Sequence, residues 1–379
     1  MFLTRYMEGE RISDLCREFG ISRQTGHGLV KRYEKHGLDG LEDRSSRPLR
    51  SPQRTPKSKS DAIVALRRKQ PTWGPKKLKA RLETLHPNLK WPASSTIGAI
   101  LADEGLVKCR KRRRRATAMG PVVRQTRSPN ELWCIDYKGQ FRLGNKKYCY
   151  PLTISDHYSR FLLGCEGLEN TKTLDAETAF LHVFSEYGLP DAIRSDNGAP
   201  FASSGRLGFS RLSVWFVRLG ITVERIQPGH PEQNGRHERM HLTLKQDATR
   251  PAAATLLAQQ ERFDAFRETY NQDRPHESLS MKTPAHFYQP SKKRLPKNLP
   301  ELKYPLHDFS KKVYECGRFT LPLVGDIYIG RAFAHQHVGL TEVTTGTWLV
   351  SFANLDLGYA DVETKRVIPL PTIQNKEAL

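Results

Sequence analysis

The chain has 379 residues, too many for one average domain, and its 61 lysines and arginines outnumber 40 acids for a formal charge of +21. That imbalance points to a polyanionic partner, because each phosphate neutralised releases counterions. No run of about 18 apolar residues is present to cross a membrane, and the N-terminus lacks a secretory core. The six cysteines (Cys16, Cys109, Cys134, Cys149, Cys165, Cys316) form no C-x-x-C pair. They read as reduced structural thiols in an intracellular protein without a membrane partner.

Residues 1–45 read as a helix-turn-helix domain. Ile12 to Phe19 forms a short amphipathic helix, Gly20 the turn, and Ser22 caps a second helix over Arg23 to Lys35. Ile21, Leu29, Val30 and Tyr33 face inward. Arg23, Gln24, Thr25, His27 and Lys31 face outward, and these side chains suit base edges and phosphates in a major groove. After a Pro-punctuated linker, residues 57–107 form a second helical unit with Ile63, Leu66, Leu78, Leu82, Ile97, Ile100 and Leu101 at helical spacing. Trp73-Gly74-Pro75 makes a turn, Ser94-Ser95-Thr96 caps the last helix, and Lys76, Lys77, Lys79 and Arg81 form a basic face read as a DNA contact. Residues 108–127 are a basic linker in which Arg112 and Arg113 belong to an unbroken cationic run suited to tracking a phosphate backbone.

From Glu131 the period changes. Leu132–Tyr137, Lys147–Ser155 and Phe161–Gly167 read as strands, with Gly144-Asn145 as a hairpin turn. Helices over Leu174–Tyr187 and Leu207–Leu219 alternate with strands Ala192–Ser195 and Ile221–Ile226, and a further helix starts near Asn234 or Gly235. Residues 128–290 are therefore a mixed α/β sheet covered by helices. A basic linker follows, and residues 310–370 alternate β-formers with turns. Strands are expected at Arg318–Leu321, Asp326–Ile329, Phe333-Ala334, Thr347–Phe352 and Val367-Ile368, with Phe319, Tyr328, Trp348 and Phe352 in the core of a small SH3-like β-barrel.

Three acids stand out: Asp136 near the end of the first core strand, Asp196 after the short strand Ala192–Ser195, and Glu238 on the helix that follows. They lie 60 and 42 residues apart, so only folding can bring them together. Hard divalent cations prefer carboxylate oxygens, and a pair of them about 3.5–4 Å apart can serve both oxygens of an in-line phosphoryl displacement. Asp156 and Glu232 are alternative acids. Asp156 is assigned to structure, holding Ser159 or Arg160, while Glu232 lies in a Pro-bounded loop. Lys245, seven residues after Glu238 on the same helix face, is a candidate phosphate contact. A competing pattern overlaps the third acid: His237-Glu238-x-x-His241 has the spacing of a zinc peptidase, although Arg236, Arg239 and Lys245 flank it and Leu244 replaces an expected glycine. A DNA-binding regulator with an inactive core is the third reading.

At these residues the chain resembles insertion-sequence DDE transposases with a retroviral-integrase-like, ribonuclease-H-fold core. The resemblance is carried by Trp133-x-x-Asp136-Tyr137, Asp156-x-x-Ser159-Arg160, Arg194-Ser195-Asp196-Asn197-Gly198-x-Pro200-Phe201 and Pro228-Gly229-His230-Pro231-x-x-Asn234-Gly235-x-x-Glu238-Arg239. Tyr270-Asn271-x-x-Arg274-Pro275-His276-x-Ser278-Leu279 and Thr283-Pro284-Ala285 close it, so it runs from about Ile12 to Pro290. The resemblance implies that Asp136, Asp196 and Glu238 are the catalytic, metal-binding triad. It implies two Mg²⁺ ions per site (Mn²⁺ as substitute), DNA ends and target DNA as partners, and a dimer or tetramer on DNA. The interval between second and third acids is longer than in retroviral integrases. Their His/Cys zinc-binding N-terminal domain is absent, with helical units in its place.

Overall fold

The computed structural model describes residues 1–42, 54–107, 125–227, 230–322 and 324–370, with Pro231 and Glu232 described by backbone alone. Arg112 and Arg113, and with them most of the expected basic linker, lie outside the described residues. The chain divides into two compact units, Met1–Pro56 and Lys57–Leu379. No described helix is long and apolar enough to cross a membrane.

The first unit holds α1 (Phe2–Met7), α2 (Ile12–Glu18) and α3 (Arg23–His36). Gly20 takes a positive φ at the turn, as expected, and the Ser22 hydroxyl accepts from the Thr25 amide at 3.1 Å. Gly26 does more than the sequence suggested. A Cβ there would sit 2.4 Å from Cys16 Sγ, so its absence lets α3 cross α2 closely.

The second unit opens with α4 (Lys57–Lys69), α5 (Pro75–Leu85) and α6 (Ser94–Asp103), packed around Trp73, Leu78, Trp91 and Ile97. The expected serine cap of α6 is not made: the helix begins at Ser94 itself, behind Ala93, with no side-chain cap bond.

The central sheet contains β1 (Trp133–Tyr137), β2 (Phe141–Arg142), β3 (Tyr148–Asp156), β4 (Leu162–Leu168), β5 (Ala192–Ser195) and β6 (Thr222–Arg225). Its order is β2-β3-β1-β5-β6, with β4 also pairing β3; β1, β5 and β6 run parallel and the rest antiparallel. Side chains alternate across it. Leu152, Ile154 and Leu163 meet α7 (Thr173–Tyr187) and α8 (Arg211–Arg218) on one face. Cys149, Leu162 and Cys165 meet α9 (Gly235–Asp247) and α10 (Leu256–Glu268) on the other. The helix expected from Leu207 begins only at Arg211, because Ser210 and Ser213 form a capping box and Gly208 takes a positive φ just before it.

The closing strands form a seven-stranded, nearly closed sheet, β7 (Phe309–Lys312), β8 (Arg318–Leu321), β9 (Gly325–Tyr328), β10 (His337–Thr344), β11 (Thr347–Phe352), β12 (Leu355–Asp361) and β13 (Arg366–Pro369). β7, β10 and β12 were not expected, and Phe333 lies in a 3₁₀ turn rather than a strand. Of the four aromatics expected inside, Tyr328 is exposed. Val214 and Val217 of α8 enter this domain's core, which ties it to the central sheet.

Asp156 anchors the end of β3. Its carboxylate is 1% exposed and accepts from the Asn130 amide at 2.8 Å, the Ser159 amide at 2.7 Å and the Ser159 hydroxyl at 2.6 Å. Asn130 in turn accepts from the Trp133 indole and the Tyr288 hydroxyl. Asp156 therefore serves structure, in line with its assignment. Replacing it with alanine strands three buried donors, so Asp156→Ala should lower unfolding stability by about 3 kcal/mol or more in urea titrations. A loss under about 1 kcal/mol would contradict this role.

Candidate active site

Strand pairing delivers the first two acids. β1 and β5 are parallel neighbours with Cys134 opposite Arg194. Asp136 and Asp196 each lie two residues further along, so they leave adjacent strand ends at matched register and on the same side, with strands about 4.8 Å apart. Asp196 follows β5 directly, where its carboxylate accepts from the Gly198 amide at 3.2 Å. Asn197 fixes the turn by donating to the Ile226 carbonyl at 2.8 Å. Arg194 of the same segment is buried in an ion pair with Glu224 at 2.9 Å and serves packing.

The third acid arrives on α9, whose first turn carries Glu238, exposed. The two histidines flanking it point inward and are buried. Each Nε2 lies 2.7 Å from Thr153 Oγ1, and His237 Nδ1 lies 2.7 Å from Ser155 Oγ. Burial pushes His237 down to about 3; burial and then His237 push His241 down to about 2, so both rings are neutral. The point at which a zinc pair would converge is thus filled by a threonine hydroxyl, and the peptidase reading fails on geometry.

Asp136 records the crowding of like charge. Its carboxyl is pushed up to about 7, first by burial, then by Asp196, and further by Glu238, against a backbone hydrogen bond from Tyr137. The three acids share one electrostatic neighbourhood, although among the described residues no three His, Cys, Asp or Glu side chains are gathered as a closed metal-binding set. The donor chemistry nevertheless fits a hard divalent cation: all three are carboxylates, and their mutual repulsion is what such an ion relieves. Two buried atoms on the same elements, the Tyr137 hydroxyl and Asn234 Oδ1, have no partner among the described residues.

The expected DNA-contact residues divide. Arg23, Gln24, Thr25, His27 and Lys31 are exposed on α3, and Lys245 is exposed on α9. Lys76 is exposed, whereas Lys77 is half-buried. Lys76 lies 3.8 Å from Glu277, Arg81 pairs with Asp273, and Thr72 donates to Asp247 at 3.4 Å. Lys77 is pushed down to about 8 by burial, then by Arg274 and Arg239. Arg81 and Thr72 therefore tie the helical domain to the α/β domain, while Lys79 pairs with Glu83 of its own helix. Asp247, Asp273 and Glu277 were not singled out in the sequence, and no local signal marks them. Thr153 and Ser155 were also missed; two small hydroxyls at alternate positions of a strand, facing the helix that carries the histidines, are the signal that would have found them.

Comparison with known proteins fits this organisation. Integrase core domain models match residues 126–231 and 219–284, and homeodomain-like domain models match residues 1–42 and 25–101. A 31.7 kDa protein of insertion element IS407 from Burkholderia multivorans is 27% identical over 59% of this chain and 78% of its own. A 39.2 kDa protein of insertion element IS476 from Xanthomonas euvesicatoria is 26% identical over 74% and 79%. The Gag-Pro-Pol polyprotein of simian retrovirus SRV-1 is 36% identical over 31% of this chain and 6% of its own. Among solved structures, the catalytic core of HTLV-2 integrase in complex with magnesium aligns at 19% identity over 43% of this chain and 98% of that one, TM-score 0.34. The simian T-cell lymphotropic virus intasome aligns at 17% identity over 77% and 97%, TM-score 0.39. The chain carries homeodomain-like helical domains and an integrase core domain. Its relatives thus include proteins of insertion elements and retroviral polyproteins.

A folded-state acidity above the unfolded carboxyl value means that Asp136 opposes folding increasingly as pH rises from about 4 to 7. In metal-free buffer at neutral pH, Asp136→Asn should therefore raise unfolding stability, by on the order of 1–3 kcal/mol, with the gain vanishing near pH 4. A lowered melting temperature at neutral pH would contradict the repulsion.

Proposed function

We propose that the chain is a DDE transposase that binds the terminal inverted repeats of an insertion sequence and catalyses metal-dependent strand cleavage and strand transfer. Asp136, Asp196 and Glu238 are its catalytic triad. The observation that carries this reading is the coupling of Asp136 to both other acids at the ends of parallel strands β1 and β5. Carboxylates are gathered against their own repulsion where a site exists for a cation.

Two Mg²⁺ ions, or Mn²⁺, held by the triad would supply acidity to the attacking oxygen and charge neutralisation at the leaving one. The chain's own residues do the rest. The strand ends hold Asp136 and Asp196 in register, and α9 carries Glu238 as the third acid. The same carboxylates serve twice: water cuts the strand at the element's end, and the freed 3′-hydroxyl then attacks target DNA. The displaced phosphodiester bond supplies the energy, so no external source is needed.

The exposed face of α3, with Arg23, Gln24, Thr25, His27 and Lys31, reads the repeat, while Lys245 and the linker arginines Arg112 and Arg113 take backbone phosphates. Lys76 and Lys77 join them if DNA replaces or shares their acidic partners. Both element ends must be held at once, so the active form is a dimer or tetramer on DNA in the cytoplasm, at the nucleoid. Domains are assigned to 1–45, 57–107, 128–290 and 310–370, with 108–127 as linker.

Labelled duplexes carrying the element's own ends should be cleaved in Mg²⁺ or Mn²⁺ and left intact in EDTA. Asp136→Asn, Asp196→Asn and Glu238→Gln should each cost several kcal/mol of barrier, about 10³-fold in rate, while leaving DNA binding intact. Cleavage unchanged in Glu238→Gln would overturn the triad. Cleavage retained in EDTA would overturn the metal chemistry.

A further inference from the structure

We propose that Thr153, together with His237 and His241, is a positioning clamp that sets how far the helix bearing Glu238 stands from the strand bearing Asp136. The inference rests on the metal-dependent reading above and deepens it.

One hydrogen decides the arrangement. Thr153 sits opposite Asp136 in the antiparallel pairing of β3 with β1. Its hydroxyl donates to the Asp136 carbonyl at 2.9 Å. A hydroxyl has a single hydrogen, so it has none left for either imidazole. The two Nε2 atoms at 2.7 Å must both be protonated and must donate to the two lone pairs of Thr153 Oγ1. His237 Nδ1 is then an acceptor, and the Ser155 hydroxyl at 2.7 Å supplies its hydrogen. His241 Nδ1, left bare, lies 3.7 Å from Asp136 Oδ2 and offers that carboxylate no hydrogen. Every donor and acceptor of Thr153 is used, and one oxygen atom is bonded at once to the residue that carries the first acid and to the residue immediately before the third.

Adhesion alone does not call for this arrangement. Beside it, Met240 and Leu244 of α9 meet Cys149, Leu162 and Cys165 of the sheet in an apolar cluster. Burying two imidazoles and two hydroxyls there is costly unless each is satisfied. Apolar contact lets a helix slide along a sheet, whereas a three-bonded oxygen fixes both distance and direction. Thr153, Ser155, His237 and His241 are all buried, so solvent does not compete for these bonds.

Thr153→Val keeps the shape and removes the hydroxyl, and Thr153→Ser keeps the hydroxyl. Calorimetric titration of Mn²⁺ into the DNA-free full-length protein, and the Mg²⁺ half-saturation of end cleavage, are read for both. Thr153→Val should bind Mn²⁺ roughly 10- to 100-fold more weakly and need correspondingly more Mg²⁺, with the cleavage rate partly restored at saturation, and Thr153→Ser should stay near wild type. Wild-type Mn²⁺ affinity in a cooperatively folded Thr153→Val overturns the clamp, as does equal impairment of both variants, which would mean packing. Should Thr153→Val fail to fold, His241→Gln, which keeps a donor, is compared with His241→Leu in the same way: weaker Mn²⁺ binding in the leucine variant alone supports the clamp, and equal behaviour of the two overturns it. Wild-type protein that neither binds Mn²⁺ nor cleaves in Mg²⁺ would sink the metal reading instead.

Discussion

The parallel pairing of β1 with β5 is the constraint on which the rest depends. Two short strands, distant in sequence, are locked so that Asp136 and Asp196 leave their ends side by side. Neither carboxylate gains from the other; burial and mutual repulsion raise the pKa of Asp136 and weaken the fold at neutral pH. The sheet offsets that loss through its apolar layers, with α7 and α8 on one face and α9 and α10 on the other. Under the proposed function, that crowding is what a divalent cation would relieve.

The polar groups near the acids do different work. Asp156 looks in sequence as eligible as Asp136, yet it is saturated by Asn130 and Ser159. Arg194 is paired with Glu224 beneath the turn that presents Asp196. Asn271 faces the backbone of Leu162 with both its amide atoms, donating at 2.9 Å and accepting at 2.8 Å, which closes α10 onto β4. Much of what reads as a family motif is therefore framework around Asp136, Asp196 and Glu238.

How much was legible follows from the range of the interactions. Ala192–Ser195 was read to the residue, because a short stretch between turn signals, Gly188 and Pro190 before it and Asn197-Gly198 after it, is a local pattern. Ser22 as a cap and Gly20 as a turn were legible for the same reason. β12 escaped because Asp356 and Gly358 are poor strand formers; yet a Cβ at Gly358 would come within 1.9 Å of the Ile368 carbonyl, so the pairing with β13 demands glycine there. The apolar Leu207 and Phe209 extended the expected α8 backwards past the serine that stops it. The basic face of α5 was legible as a charge pattern, but its partners lie some two hundred residues away, and sequence alone cannot distinguish a phosphate from Asp273. The same limit separated the histidine pair, visible at its spacing, from Thr153, which explains it.

The central claim is that three carboxylates share one metal centre. The most direct measurement is anomalous diffraction from crystals of the full-length protein soaked in Mn²⁺, recorded near the manganese absorption edge. Peaks are expected bounded by the side chains of Asp136, Asp196 and Glu238, with Glu238 turned in from solvent to meet them. Peaks elsewhere, or none at these acids in a crystal that takes up manganese at other positions, would contradict it.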